Sequence, residues 1–177
     1  MCGIFGVIDN NDEAFGHIVL GLMSLQHRGQ DACGIVTTDG KEIFSKKSTE
    51  PVNKAYSERD VKRLVGKAGI GHTRYATQGT GTTREAQPLY VNKDPKVALA
   101  QNGNMVNYFE VKEDLQKHGV DFETSVDTEV LLQEFYRAYE RTGDVFAAAK
   151  DIYDHVRGAF AIVGLIPGKG LFCMRDP

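Results

Sequence analysis

Gly34-Ile35-Val36-Thr37-Thr38-Asp39-Gly40-Lys41-Glu42-Ile43-Phe44-Ser45-Lys46-Lys47 reads as two strands around an Asp-Gly turn. Both turn residues favour positive φ, so the stretch predicts antiparallel pairing of 34–38 with 43–47. Outward from this hairpin the chain repeats the theme. Residues 3–8 are apolar and glycine-spaced and predict a buried strand. Ala68 to Tyr75, Leu89 to Val91 and Val97 to Gln101 predict three more, the last two separated by a turn at Asp94-Pro95. Ala159-Phe160-Ala161-Ile162-Val163 opens a strand to Ile166 and is apolar on both faces, which suits a strand covered on both sides. A turn at Pro167-Gly168-Lys169-Gly170 then leads into Leu171 to Met174.

Helices fill the spaces. Phe15, Ile18, Val19, Leu22 and Leu25 fall at helical spacing behind a cap at Asn11 or Asp12. Ser57 to Val65 predicts a short helix whose first free N–H groups Ser57 and Asp60 can satisfy. Tyr108 to Lys117 predicts another, stopped by Gly119. Ser125 caps a helix carrying Val130, Leu131, Phe135 and Ala138 on one face, and Asp144 caps one from Val145 to Val156. Strands come in hairpins and helices in groups, without strict βαβ alternation. That order predicts an α+β fold of antiparallel sheets with helices packed outside.

The 177 residues fit one domain, and a 41% hydrophobic fraction supplies its core. A formal charge of −3 with mixed signs argues against nucleic acid or a membrane surface as partner. No apolar run approaches the ~20 residues of a membrane span, and no secretory signal opens the chain. Cys2, Cys33 and Cys173 are too few and too scattered for a disulfide framework or a Cys-x-x-Cys metal site. The expectation is a cytoplasmic protein with reduced thiols and no bound metal.

Several polar residues look out of place at the ends of these elements. Gln26-His27-Arg28-Gly29-Gln30-Asp31 follows a helix end, and His72-Thr73-Arg74-Tyr75 ends a strand before the glycine-rich loop 76–83. Gln101-Asn102-Gly103-Asn104 ends another strand, and Asp127 lies in the first turn of a helix. Singly, each has an ordinary explanation. Arg28 complements a helix dipole, Asn102-Gly103 is a turn pair, and Asp127 is a first-turn charge beside the Ser125 cap.

Cys2 gives them a common purpose. If Met1 is clipped, one residue carries both a thiol titrating near ~8.5 and an α-amine titrating near ~7.7–8.0, a nucleophile with its own base. A thiol attacking a carboxamide generates an oxyanion that needs preorganised donors, and an Asn amide beside a glycine N–H supplies two. A free amino-acid substrate adds a carboxylate for an Arg and an ammonium for an Asp.

Met1-Cys2-Gly3-Ile4, Leu25-Gln26-His27-Arg28-Gly29-Gln30-Asp31, Gly71-His72-Thr73-Arg74-Tyr75-Ala76-Thr77, Glu85-Ala86-Gln87-Pro88, Asn102-Gly103-Asn104 and Asp127-Thr128-Glu129 occur in that order. The series resembles the class II glutamine amidotransferases, N-terminal-nucleophile hydrolases. Gln30 in His27-Arg28-Gly29-Gln30-Asp31, together with Arg175-Asp176-Pro177, makes it most similar to their amidophosphoribosyltransferase branch. The resemblance spans essentially the whole chain. It implies a four-layer αββα sandwich of two antiparallel sheets and hydrolysis of L-glutamine to glutamate and ammonia without a cofactor in this domain.

By matching motif, Cys2 would be the nucleophile, and Asn102 and Gly103 the oxyanion hole. Arg74 would take the glutamine carboxylate, Asp127 its amino group and Thr77 a place in the loop over the substrate, while Arg28 would order the region around Cys2. Gln101 departs from the family's usual His. The resemblance further implies that residues 1–177 form the glutaminase domain without its last strands, C-terminally incomplete, and without the phosphoribosyltransferase domain that accepts the ammonia. The open edge near Leu171 to Pro177 then predicts a homo-oligomer or a partner chain. Two other readings remain: a non-catalytic or regulatory fragment of the same fold, and the glutaminase of another class II member.

Overall fold

The computed structural model describes residues 1–75 and 82–176. Among these residues are eight strands: β1 (Gly3–Ile8), β2 (Ala32–Thr38), β3 (Ile43–Ser48), β4 (Ala68–Arg74), β5 (Leu89–Val91), β6 (Val97–Met105), β7 (Gly158–Ile166) and β8 (Gly170–Arg175). They form two antiparallel four-stranded sheets, ordered β1-β4-β2-β3 and β5-β6-β7-β8. The helices are α1 (Ala14–Leu25), α2 (Val52–Ala55), α3 (Glu58–Arg63), α4 (Tyr108–Lys117), α5 (Asp127–Thr142) and α6 (Val145–His155), with a 3-10 turn at Gln26–Arg28. Among the described residues, no helix is long and apolar enough to cross a membrane.

The period of two along the strands builds the layers. On β2, Ile35 packs with Phe15, Ile18 and Leu22 of α1, whereas its neighbour Val36 packs with Ala98, Ala100, Val163 and Leu165 of the second sheet. On β6, Val97 and Leu99 meet the helices α4, α5 and α6, and Ala98 and Ala100 meet the first sheet. The result is helices, sheet, sheet, helices, the αββα sandwich. β7 is covered on both sides as its composition requires, Phe160 and Ile162 by the helices and Val163 and Leu165 by the other sheet. Burying a side chain such as Ile18 or Leu22 in these layers contributes about 1.5–3 kcal/mol. Close approach is needed under α1, where a Cβ on Gly71 would come within 2.5 Å of Ile18 and 2.8 Å of Leu22.

Four local expectations are corrected by the fold. Neither Asn11 nor Asp12 caps α1. Asp9, at the end of β1, accepts the N–H groups of Asn11 and Glu13 at 2.9 Å instead, and Asp12 turns through a positive φ of 60°. The β2–β3 connection runs over four residues, with Asp39 Oδ1 accepting from the Lys41 and Glu42 N–H groups and only Gly40 at positive φ. Ser125 does not cap α5; its hydroxyl reaches Glu85. Finally, β6 does not stop at Gln101 but pairs with β7 through Met105. The caps at Asp60 and Asp144 form as read: Asp60 accepts from the Ser57 N–H at 2.8 Å, and Asp144 from the Phe146 N–H at 2.8 Å.

Candidate active site

The strand ends at one end of the sandwich carry the polar groups. β1 pairs with β4 through Gly3 opposite Thr73, so Cys2, the next residue out, falls abreast of Arg74. Arg28, in the 3-10 turn after α1, donates from Nε to the Cys2 carbonyl at 3.0 Å. Gly29 then runs so close beneath β4 that a Cβ there would sit 2.4 Å from the Arg74 carbonyl carbon. The Asp31 N–H donates to the Arg74 carbonyl at 3.1 Å. The segment 28–31 thus holds both the Cys2 and the Arg74 backbone.

On the opposing sheet, β6 projects past its hydrophobic part as Gln101-Asn102-Gly103-Asn104. Antiparallel pairing alternates between residues that bond to the partner and residues that point away from it. The N–H of Gln101 points away from β7 and is taken by Gln87 Oε1 at 2.6 Å. That of Met105 also points away and is taken by Asp127 Oδ2 at 3.2 Å. Gly103 lies midway between them with the same orientation, and its β7 partner Phe160 exchanges its bonds with Asp176 on the far side. The Gly103 N–H therefore faces the same side as Gln87 and Asp127, unused by the β6–β7 ladder. A glycine is required here, because a Cβ would meet the Ala159 carbonyl oxygen at 2.2 Å.

One cleft gathers these groups: Cys2, Arg74, Glu85, Gln101, Gly103 and Asp127 all line it, together with Gln87, Asn104, Tyr75 and Val126. Arg74 and Glu85 are both buried, and the guanidinium Nη1 lies 3.5 Å from Glu85 Oε2. The other Glu85 oxygen accepts from the Ser125 hydroxyl at 3.2 Å. Asp127 opens α5, where the unpaired N–H groups of the first turn favour a negative charge.

His72 stands two residues before Arg74, fully buried, and among the described residues no partner meets either ring nitrogen in good hydrogen-bond geometry. Burial pushes its pKa down to about 3, the Arg74 charge adds to the drop, and the nearby Gln101 backbone only partly opposes it. The ring is neutral at physiological pH.

Of the residues singled out from sequence, Cys2, Arg74, Gly103 and Asp127 share the cleft, and Arg28 binds Cys2 from behind. Asn102 does not line it. It lies in the neighbouring groove with Ala159, Ala161, Arg175 and Asp176, and Gly103 borders both. Thr77 lies outside the described residues. In the sequence, Glu85 and Gln87 stand out only as part of the motif Glu85-Ala86-Gln87-Pro88. A buried Arg needs an opposite charge to offset its lost hydration, and that requirement is the signal that picks out Glu85.

A family model described as a glutamine amidotransferase domain matches residues 55–177. The amidophosphoribosyltransferase of Schizosaccharomyces pombe is 39% identical over 189 residues, which cover 100% of this chain and 35% of that protein. The Escherichia coli K12 amidophosphoribosyltransferase is 38% identical, covering 100% of this chain and 37% of its own. The solved structure of glutamine phosphoribosylpyrophosphate amidotransferase from B. subtilis, complexed with ADP and GMP, superposes with a TM-score of 0.85 at 32% identity, over 100% of this chain and 37% of that one. A class-II glutamine aminotransferase domain protein from Silicibacter pomeroyi, 15% identical with a TM-score of 0.53 over 82% of this chain and 68% of its own, shares the fold alone. The chain spans 35% and 37% of the length of the two curated relatives, a little over a third.

Proposed function

The chain belongs to the glutamine amidotransferase domain family, and on that premise we propose that it is the glutaminase half of an amidophosphoribosyltransferase. Its reaction would release ammonia from L-glutamine for the synthesis of phosphoribosylamine in purine biosynthesis. One observation carries the glutaminase reading. Cys2, Arg74, Gly103 and Asp127 come from β1's approach, β4, β6 and α5, and all four line one cleft.

In this reading Met1, 78% exposed, is removed, and the freed Cys2 amine becomes the base for the thiol beside it. Arg28 holds the Cys2 carbonyl and so the direction of the nucleophile. Arg74 pairs with the substrate's α-carboxylate, and Asp127, whose Oδ2 is held by the Met105 N–H, meets its α-ammonium. The thiolate sulfur bonds to the δ-carbon, and the carbonyl π electrons move onto oxygen. The outward Gly103 N–H donates to that oxyanion; the Asn102 amide, which lies in the adjoining groove, would have to turn across Gly103 to add a second donor. Collapse breaks the C–N bond as nitrogen takes the proton held by the Cys2 amine and leaves as ammonia. Water, deprotonated by the same amine, then attacks the γ-glutamyl thioester, yielding glutamate and the thiol. We assign the acceptor, a phosphoribosyl donor, to the portion of the relatives' length that this chain does not span.

Intact mass before and after 6-diazo-5-oxo-norleucine, a glutamine-mimicking alkylator, tests the reading. The expected product is a chain lacking Met1 with one adduct on Cys2, absent in Cys2→Ala, which should retain the fold but lose glutamine hydrolysis. A fully active sample that retains Met1 rules out the amine as base.

A further inference from the structure

We propose that Glu85 is a positioning residue that fixes the spacing between Arg74 and Asp127, the two charges that read the amino-acid end of the substrate. The inference rests on the glutaminase reading. A free α-amino acid presents a carboxylate and an ammonium from one carbon atom. Recognising both at once requires an Arg and an Asp at a set separation. Here those two groups belong to opposite halves of the sandwich: Arg74 ends β4 of the first sheet, and Asp127 opens α5, which covers the second. Their relative position would otherwise depend on how the two sheets slide over Ala98, Ala100 and Val36.

Glu85 spans that divide with a single buried carboxylate. Oε2 faces Arg74 Nη1 at 3.5 Å, and Oε1 accepts from the Ser125 hydroxyl at 3.2 Å, two residues before Asp127. Its own backbone is fixed by a turn, with the Glu85 N–H donating to the Thr82 carbonyl at 3.1 Å. Asp127 is held in turn to β6 by the Met105 N–H. Arg74, Glu85 and Ser125 are thus linked by side-chain contacts, and the backbone from Ser125 carries the link two residues on to Asp127, from the first sheet to the helix over the second. Glu85 also supplies the negative charge that makes a buried guanidinium tolerable before substrate arrives. A buried carboxylate with no partner would repel the substrate; one bonded to both sides holds the receptor open at the right width.

The test uses two substrates and two variants. L-glutamine carries both charges, and 4-carbamoylbutanoate, the same molecule without the α-amine, carries only the carboxylate. Ser125→Ala cuts the strut on the Asp127 side and leaves Arg74 paired, and Glu85→Gln removes the charge with little change of shape. For both, the preference for L-glutamine over the deamino analogue in kcat/KM should fall about tenfold, the effect of misaligning one charged hydrogen bond. A residue that merely stabilised the fold would move both substrates together. An unchanged preference in Ser125→Ala, or an equal loss for both substrates, overturns the strut. A wild-type protein that neither hydrolyses nor binds L-glutamine overturns the glutaminase reading itself, and the strut with it.

Discussion

Gly29→Ala isolates the contact that seats Arg74. The residue has extended backbone, φ −175°, which alanine adopts freely, so the only obstacle is space. The new Cβ would lie 2.4 Å from the Arg74 carbonyl carbon, 2.6 Å from its oxygen and 2.7 Å from the Tyr75 nitrogen, where ordinary contact begins at 3.4 Å. None of these atoms is the end of a flexible side chain, so segment 28–31 and the end of β4 must separate by about 1 Å. The Asp31 N–H bond to the Arg74 carbonyl lengthens with them. Overpacking of this kind costs about 1–3 kcal/mol, which leaves a folded protein. A displacement of about 1 Å at a group that orients substrate can cost on the order of a hundredfold in kcat/KM. Glutaminase kinetics with thermal denaturation of the same samples provide the check, with Gly16→Ala on the exposed face of α1, where no atom lies within 4 Å, as a control expected to keep full activity. A Gly29→Ala protein with wild-type kinetics would show that Arg74 is positioned by something other than this contact.

Arg74→Lys should raise the glutamine KM by about ten- to a hundredfold, since an ammonium cannot grip a carboxylate with two parallel bonds, and Asp127→Asn should act similarly through the ammonium. Wild-type KM in both variants would locate glutamine elsewhere. His72 contributes to acid sensitivity: the unfolded chain protonates it near pH ~6.5, whereas the folded chain waits until about pH 3. The unfolded state therefore binds the extra proton across that window, and folding stability falls as pH drops through it, by about 1.4 kcal/mol per unit. Denaturant titrations from pH 7 to 4 should show a shallower pH slope for His72→Gln; identical slopes would refute the assignment.

The antiparallel strands and outer helices were legible locally, whereas the face-to-face stacking of the two sheets came only from the family resemblance. Ile35 and Val36 are adjacent in sequence and part company between a helix and the opposite sheet, and the all-apolar opening of β7 announces a strand covered twice. What failed were signals that local chemistry shares between several uses. Asn102-Gly103 looks like a turn, yet it lies within β6, because pairing with β7 continues through Met105 opposite Gly158. Ser125 looks like a cap, yet its hydroxyl serves Glu85. Asp9 caps nothing by position but intercepts the N–H groups that Asn11 or Asp12 would have organised.

The cleft explains why these failures concentrate where they do. A strand that ends inside the core can be read from its apolar alternation, because burial alone decides its residues. Past the end of β5, no strand among the described residues lies on that side of β6, and its outward N–H groups are taken by side chains. Gln87 takes one and Asp127 takes another, each from a segment distant in sequence. Between them the Gly103 N–H faces the cleft. The types of residue needed were readable from the chain; the partners were not, because an eleven-residue separation between Arg74 and Glu85 says nothing of their meeting. Only the stacking of the two sheets brings that acid to that base, and the same stacking places Gly103 and Cys2 on one cleft.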